Sequence, residues 1–169
     1  IGFNDIEPFK NSKVVKVTIN KKDETWNVYI ENENTVNIES AINLINISKK
    51  GIADVKEINI VFQNKNINEV SIIEYFKYFL NNLIKKSPAL TSIKDNKINL
   101  KDEVIIIEVS TEIEENLINK ESKKLISKLD KLGVKVKDIK SIINESLKEE
   151  IKKEIKESRV QVVKKEEPV

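Results

Sequence analysis

The feature that most constrains the fold is a change in hydrophobic period, which occurs twice along the chain. Apolar and polar side chains alternate over residues 14–20 and 26–30, as in two paired strands with one buried face. Residues 37–50 instead repeat their apolar side chains at helical spacing, and residues 55–62 alternate again. The first unit is therefore predicted to run strand, strand, helix, strand. The residues predicted to face inward on the first two strands are Val15, Val17, Ile19, Trp26, Val28 and Ile30.

A second unit follows, and its hydrophobic period also changes between that of a helix and that of a strand. Residues 68–86 form a predicted helix whose apolar stripe is wider than one face. Ser87-Pro88 ends this helix, because the residue before a proline disfavours helical backbone angles. Residues 97–100 and 104–109 are two strand segments around Lys101-Asp102, the second with a continuous apolar run at Val104 to Ile107, and they predict a second hairpin.

Two glycines mark predicted helix ends. Gly51 follows the helix of the first unit, and Gly133 follows a long helix that begins at a capping box of Thr111 and Glu114. Residues 134–142 resume a strand pattern. The second unit thus runs αββαβ, and the first has the same order if a helix precedes the chain. A true duplication and the independent reuse of a simple α/β unit both account for this pseudo-repeat.

The C-terminal part of the chain is rich in Lys and Glu. Between residues 144 and 160 the regular apolar positions are Leu147, Ile151 and Ile155, a stripe too narrow to hold a helix firmly against a core. We therefore expect a semi-rigid spacer, whose removal after Ile143 leaves the melting temperature almost unchanged.

These patterns together predict an α+β fold with three segments. Residues 1–64 and 65–143 are two small αββαβ-type subdomains, and residues 144–169 are a charged helix and a linker towards a following domain. The chain begins without Met and ends in a charged segment that contains Pro, so we expect an excised part of a larger protein.

The composition excludes several classes of chemistry. The chain has no His, no Cys and only three Gly, so it lacks the commonest general base, the thiolate and imidazole metal ligands, and a glycine-rich phosphate loop. We expect no catalytic residue, no cofactor and no metal. The absence of Cys, of a signal-peptide pattern and of a long apolar run favours a cytoplasmic protein that has neither a membrane nor a small-molecule partner.

The densest acidic cluster is the strongest candidate for hidden chemistry. Paired carboxylates can support acid–base catalysis or bind magnesium, so a small independent enzyme is one hypothesis. The favoured interpretation is structural, because three of these residues occupy a predicted first helical turn, where the helix dipole favours negative charge. The cluster consists of Glu103, Glu108, Glu112, Glu114 and Glu115.

A basic segment between residues 120 and 140 is the complementary candidate. It contains eight Lys against three acidic residues, while the whole chain has a net charge of only +2. Such a segment can contact phosphates, with Tyr29 as the one aromatic side chain placed to stack on a base, whereas Trp26 is expected in the core. The candidate nucleic-acid contacts are Lys123, Lys124, Lys128, Lys135 and Lys137.

The order and spacing of these features resemble the N-terminal region of the PolC-type DNA polymerase III alpha subunit of low-GC Gram-positive bacteria. The resemblance covers nearly the whole chain. It rests on Lys16-Val17-Thr18-Ile19, Trp26, Ser87-Pro88-Ala89-Leu90, Lys97-Ile98-Asn99-Leu100, the strand at 104–109, the helix ending at Leu132-Gly133, and the charged helix running into Glu166-Glu167-Pro168-Val169.

The resemblance implies a fold and a role. The parent protein is a DNA-directed DNA polymerase with a 3′–5′ exonuclease, and this region is an accessory segment without catalytic residues. The first subdomain is then similar to the polymerase-binding end of the clamp-loader tau subunit, and the second to type II KH folds. No Gly-x-x-Gly pair is present in this sequence, so binding of nucleic acid in the KH manner is not expected.

Two functions from different classes follow. The first is a docking module for replisome proteins during DNA replication, chiefly the tau-type clamp-loader subunit and the helicase–primase. The alternative is weak, electrostatic binding of single-stranded or duplex DNA through the basic segment, which would weaken steeply with added salt.

Overall fold

Four α-helices and two three-stranded sheets are formed by the residues that the computed structural model describes, which are 7–50, 52 and 54–165. The mixed α+β prediction is confirmed. The strands are β1 Lys13–Asn20, β2 Thr25–Asn34, β3 Glu57–Asn66, β4 Ile98–Lys101, β5 Val104–Val109 and β6 Asp138–Ile143. The helices are α1 Ile38–Ser48, α2 Glu69–Lys86, α3 Glu112–Lys131 and α4 Glu145–Lys165. Short 3-10 turns lie at Glu7–Phe9, Pro88–Leu90 and Asp95–Lys97.

The chain divides into two compact units. The first contains residues 1–80 and 124–136, and the second contains residues 81–123 and 137–169. The first unit therefore holds the sheet of β1, β2 and β3, and the second holds the sheet of β4, β5 and β6.

The first sheet has the order β1-β2-β3, with an antiparallel pair followed by a parallel one. The parallel pair requires a crossover, which α1 supplies. Asn37 caps α1, because its side-chain oxygen accepts hydrogen bonds from the backbone N–H groups of Glu39 and Ser40 at 2.9 and 3.2 Å. The helix ends at Ser48, while Gly51, the predicted end signal, lies outside the described residues.

The prediction that β1 has a buried face is wrong. Val15, Val17 and Ile19 are all exposed. The reason is the position of the strand, because β1 is the edge of the sheet and α1 packs against β3 at the opposite edge. The alternating pattern correctly groups Val17 and Ile19 on one face, but a register shift between Val14 and Lys16 leaves Val15 without a partner on β2. Alternation also does not reveal whether a face is covered.

A ladder of amide side chains crosses the first unit. Asn32, which is buried, accepts a hydrogen bond from the Ser12 hydroxyl at 2.5 Å and donates one to the Asn64 side chain at 3.0 Å. Asn64 in turn donates to the backbone carbonyl oxygens of Leu132 and Gly133 at 2.9 and 3.3 Å. These bonds satisfy a polar group that burial would otherwise destabilise, and they fix the chain after α3 beside β3.

The buried apolar residues of the first unit lie mainly on its helices. Tyr75, Phe76, Phe79 and Leu80 of α2 are buried, which confirms the wide stripe in the middle of this helix, whereas Val70, at the start of the predicted stripe, is exposed. The Tyr75 hydroxyl donates a hydrogen bond to the carbonyl oxygen of Val36. A buried phenol therefore has a partner, as the interior requires.

The second sheet repeats the strand pattern of the first. Its order is β4-β5-β6, again with an antiparallel pair followed by a parallel one. The β4–β5 turn places Asp102 and Glu103 at φ values of 52° and 63°, the backbone geometry of a tight hairpin. This hairpin was predicted around Lys101-Asp102 and is confirmed.

Helix α3 ends in a Schellman motif. The N–H of Gly133 bonds to the carbonyl of Asp130 at 2.9 Å, and the N–H of Val134 bonds to that of Leu129 at 3.0 Å. Gly133 has a φ of 72°, which confirms it as the end of the helix. Val134 is buried after this cap, and β6 begins only at Asp138, where its pairing with Val104 of β5 starts, later than the predicted strand start at residue 134.

Helix α4 is longer and more firmly held than expected. It runs to Lys165, and Leu147 in its first turn is only 1% exposed, while Ile155 is 46% exposed. The expectation that this segment lies free of any core is therefore wrong for its first turn. The predicted linker at residues 166–169 lies outside the described residues.

Candidate functional site

The most unusual surface of the first unit is the β1 edge, by which we mean residues Lys13–Asn20 of the outer strand. Four aliphatic side chains lie on it in a short space, and their exposed fractions run from 45% to 62%. Scattered exposed aliphatic side chains are ordinary, but a contiguous group indicates a surface that another molecule covers. The four residues are Val14, Val15, Val17 and Ile19.

The strand register extends this apolar surface across the sheet. Ile19 lies opposite Trp26, which lies beside Ile58 on β3. Neighbouring residues in register point to the same face, so these three side chains form one row across the sheet. Trp26 and Ile58 are half-buried, and the predicted core position of Trp26 is thus only partly realised.

A second row lies next to the first. Val17 faces Val28, and Val28 lies beside Ile60. Val28 and Ile60 are half-buried, so exposure rises from β3 towards β1. The apolar face is therefore half-buried on β2 and β3 and open at the β1 edge.

The opposite face of β1 is polar. Thr18 accepts a hydrogen bond from the Asn27 side chain at 3.2 Å, and the Lys16 ammonium lies 5.4 Å from the centre of the Tyr29 ring. Tyr29 is half-buried and in contact with a cation, so the ring predicted to stack on a base is already engaged.

Positive charge is in excess along the β1 edge. Residues 10–22 contain five Lys and no acidic residue, and all five lysines are exposed. Lys10 lies 3.8 Å from Glu7, and Lys13 stands opposite Glu31 on β2. The run of lysines within a strand pattern is the sequence signal by which the surface could have been found. It was missed because Val17 and Ile19 were assigned to a buried face.

The structure distributes the five predicted nucleic-acid contacts over both units. Lys124, Lys128 and Lys135 belong to the first unit, and Lys123 and Lys137 to the second. All five are exposed. The ammonium of Lys128 lies 5.6 Å from the centre of the Phe79 ring, so part of its charge is directed at an aromatic face.

Lys137 is also engaged. Its ammonium lies 2.6 Å from a carboxylate oxygen of Glu103, and the hydrogen bond and charge of Glu103 raise the pKa of this lysine. Both side chains are largely exposed, so the pair contributes little to stability. Lys137 remains charged at neutral pH, but its charge is partly compensated.

The acidic residues take structural roles. Glu114 is 1% exposed and accepts hydrogen bonds from the N–H and hydroxyl of Ser110 at 2.7 and 2.8 Å and from the N–H of Thr111 at 3.0 Å. The Ser92 hydroxyl also donates to it. Its carboxylate thus satisfies the backbone at the start of α3, and the predicted capping box with Thr111 is confirmed.

Two further acidic side chains of the predicted cluster have separate partners. Glu108 accepts a hydrogen bond from the Asn144 side chain at 2.6 Å, and Glu103 pairs with Lys137. Within the described ranges, no three His, Cys, Asp or Glu side chains come together as a group that could hold a metal ion. None of the helices that the structure describes is long and apolar enough to cross a membrane.

Comparison with known proteins adds no relative. A scan against models of protein families finds no match to the chain, and a search among curated proteins finds none either.

Proposed function

We propose that the chain is a non-catalytic N-terminal module of a PolC-type replicative DNA polymerase III alpha subunit, which docks replisome proteins such as the clamp loader during DNA replication. The sequence resemblance suggests the parent protein. The observation that carries the docking role is the β1 edge, where Val14, Val15, Val17 and Ile19 stand exposed together.

Apolar side chains that are exposed to water favour a partner that covers them. Burial of apolar area stabilises by roughly 25 cal/mol per Å². A partner that covers the two apolar rows forms a complex that this burial stabilises. Such binding requires no catalytic residue in the chain. The structural roles of Glu114, Glu108 and Glu103 support a non-catalytic module, because their carboxylates are committed to backbone, amide and ammonium partners.

The proposed KH type II-like subdomain at residues 65–143 is supported by the order of its elements. Along the chain, α2, β4, β5, α3 and β6 follow one another in the αββαβ order. The two units defined by packing divide α2 and α3 between them, so subdomains at 1–64 and 65–143 remain a proposal about sequence order. Without a Gly-x-x-Gly loop, this part is proposed to act through proteins.

The test is capture of purified replication proteins by the immobilised 169-residue chain. We expect the tau-type clamp-loader subunit of a low-GC Gram-positive bacterium, or its helicase–primase, to bind above a scrambled-sequence control. The double variant Val17→Thr/Ile19→Thr should capture less, because it removes apolar contact area and keeps β-branched side chains.

A matched control is Val70→Thr/Ile113→Thr. It changes one Val and one Ile that are also exposed, at 65% and 64%, but lie on helices. Equal losses in both double variants would contradict a role specific to the β1 edge. Capture of none of the purified proteins would contradict the proposed function itself.

The alternative is a nucleic-acid-binding module. It is favoured by one observation, that α3 carries Lys124, Lys128 and Lys131 at spacings of four and three residues, and all three are exposed. These positions share one face of the helix. Affinity for DNA would then fall steeply as salt rises from about 50 to 200 mM. Binding absent at low salt, or unchanged at high salt, would exclude this alternative.

A further inference from the structure

We propose that the β1 edge binds an extended, acidic segment of a partner protein, which adds to the first sheet as a fourth strand beside β1. This inference deepens the proposed docking function and rests on it, because it names the chemistry of the partner. It is argued from the edge position of β1, the exposed β-branched side chains and the sign of the local charge.

Within the part of the chain that the structure describes, the outer side of β1 pairs with no other strand. The sheet order is β1-β2-β3, and the described residues of β1 bond to β2 along one side. An unpaired strand edge presents N–H and C=O groups that a further strand can bond. The register shifts between Val14 and Lys16, and from Lys16 to Asn20 it then runs without interruption. This stretch of five residues is a regular template for a strand.

The side chains of this stretch suit a strand partner. Val17 and Ile19 are β-branched, and they are 45% and 55% exposed. Cross-strand pairs of β-branched and aromatic side chains are the contacts that stabilise sheets. A strand added beside β1 would extend the rows that already join Ile19 to Trp26 and Val17 to Val28.

The local charge determines which strand can bind. Of the five lysines between residues 10 and 22, Lys10 lies 3.8 Å from Glu7. Glu31, opposite Lys13 in the register, is paired with Lys65 at 2.8 Å, so the edge keeps an excess of positive charge. A second copy of the chain would bring its own lysines against this edge, and lysine on an edge strand is a common way in which proteins prevent pairing with themselves. An acidic segment is attracted instead, because complementary charge selects the partner and speeds the encounter.

The same surface is less suited to nucleic acid. Single-stranded binding surfaces combine positive charge with aromatic side chains on which bases stack. The exposed side chains between the lysines of β1 are aliphatic, and the neighbouring Tyr29 is half-buried beside Lys16. A protein strand therefore fits the edge better than a nucleotide chain.

The experiment uses the isotope-labelled 169-residue chain and a synthetic ten-residue peptide of alternating valine and glutamate. Backbone amide shifts are recorded during titration. We expect saturable shifts concentrated at Lys13–Asn20 and their neighbours on β2. A peptide of alternating valine and lysine should give none. A valine–glutamate peptide methylated on every backbone nitrogen should lose binding, because it has no backbone donor left on either edge.

Variants separate charge from fold. Lys13→Glu/Lys16→Glu should weaken the affinity for the peptide about tenfold, since it removes two attractive contacts and adds repulsion. The control Lys49→Glu/Lys50→Glu makes the same change in net charge at two exposed lysines after α1 and should bind normally. Val17→Thr/Ile19→Thr, which keeps both lysines, should also weaken binding and tests the apolar contribution separately.

Several results would overturn the inference. These are absence of shifts on β1, equal weakening by both charge-reversal variants, undiminished binding of the methylated peptide, or displacement of the peptide from β1 by oligothymidine. If the chain captures the tau-type subunit but the peptide gives no shift on β1, strand addition fails and the docking function stands. If the peptide binds as expected but no replication protein is captured, the docking function fails and strand addition stands.

Discussion

At the scale of single residues, the burial of Tyr75 changes the pH at which its hydroxyl ionises. Burial, reinforced by the charge of Glu74, raises the pKa of Tyr75 to about 12. The folded chain therefore retains the phenol proton in a pH range where the unfolded chain, with an ordinary tyrosine pKa near 10, releases it. Its hydrogen bond to the Val36 carbonyl requires the same proton.

We therefore predict a loss of stability in alkali that depends on this residue. The contribution of Tyr75 is complete below about pH 10 and is lost as the pH rises towards about 12, because the folded state binds the extra proton. A difference of two pKa units corresponds to about 3 kcal/mol. Denaturant unfolding of wild type and Tyr75→Phe across this range measures it. Parallel pH profiles of the two proteins would contradict the prediction, since the lysines titrate in both.

Gly133 carries a second prediction at this scale. Its φ is 72°, and a Cβ atom built there would lie 2.5 Å from the backbone oxygen of Phe62. The left-handed backbone alone costs about 1–2 kcal/mol for a residue with a side chain. Gly133→Ala should lower the free energy of unfolding by at least about 2 kcal/mol. Lys135→Ala, at a nearby exposed position, should change it by less than about 0.5 kcal/mol. Equal effects would contradict the account of this cap.

At the scale of elements, the start of α3 was predicted from Thr111 and Glu114 alone. The spacing of a capping box is a local signal, and it correctly placed the helix start. The sequence did not indicate that Glu114 is buried or that Ser92 joins it, because Ser92 is distant along the chain. Local patterns predict caps, and tertiary packing decides which of them are buried.

Removal of the Glu114 carboxylate is therefore expected to be costly. Glu114→Ala leaves the N–H and hydroxyl of Ser110 without their partner in a buried place, and each unsatisfied group costs about 1–3 kcal/mol. We predict a loss of at least about 2 kcal/mol in the free energy of unfolding, measured by chemical denaturation. Glu112→Ala, in the same turn but exposed, should cost less than about 1 kcal/mol. Comparable losses would show that Glu114 acts only through the helix dipole.

Helix α4 shows the same limit of pattern reasoning. A narrow apolar stripe correctly predicted a charged helix, but it did not reveal that Leu147 finds a buried site. A single leucine is sufficient to hold one turn, since truncation of a buried leucine to alanine costs about 2–5 kcal/mol. The outer turns, with Ile155 exposed, remain consistent with a spacer.

Two truncations separate the held turn from the outer turns. Ending the chain after Ile143 should lower the free energy of unfolding by about 2–5 kcal/mol, as Leu147→Ala should by itself. Ending it after Ile155 should change stability by less than about 1 kcal/mol, because few buried contacts are lost. If both truncations leave the melting temperature unchanged, the burial of Leu147 does not contribute to stability and the spacer interpretation applies to the whole helix.

At the scale of the whole molecule, hydrophobic period predicted the order of the elements and the α+β class. It did not predict that each compact unit is built from two separate stretches of the chain. Residues 124–136, for example, belong to the first unit. Periodicity reports which side chains share a face, whereas the unit to which a segment belongs depends on contacts distant along the chain. The pairing sense repeated in both sheets is likewise visible only in the fold.

The candidate site was predictable only in part. The basic segment at 120–140 was visible in the sequence, yet its lysines are divided between the units, and Lys137 is paired with Glu103. The β1 edge was assigned to the core, because alternation is identical for a covered face and an open one. The clue that distinguishes the two was the run of lysines without acidic residues from 10 to 22.

The central claim is that the β1 edge is where replication proteins bind, and hydrogen–deuterium exchange tests it most directly. Exchange of the 169-residue chain is compared with and without the purified tau-type clamp-loader subunit. The account predicts slower exchange at residues 13–20, because added strand pairing protects amides that face solvent, and no such protection in Val17→Thr/Ile19→Thr. Protection confined to residues 120–140, or exchange unchanged throughout the chain, would contradict it.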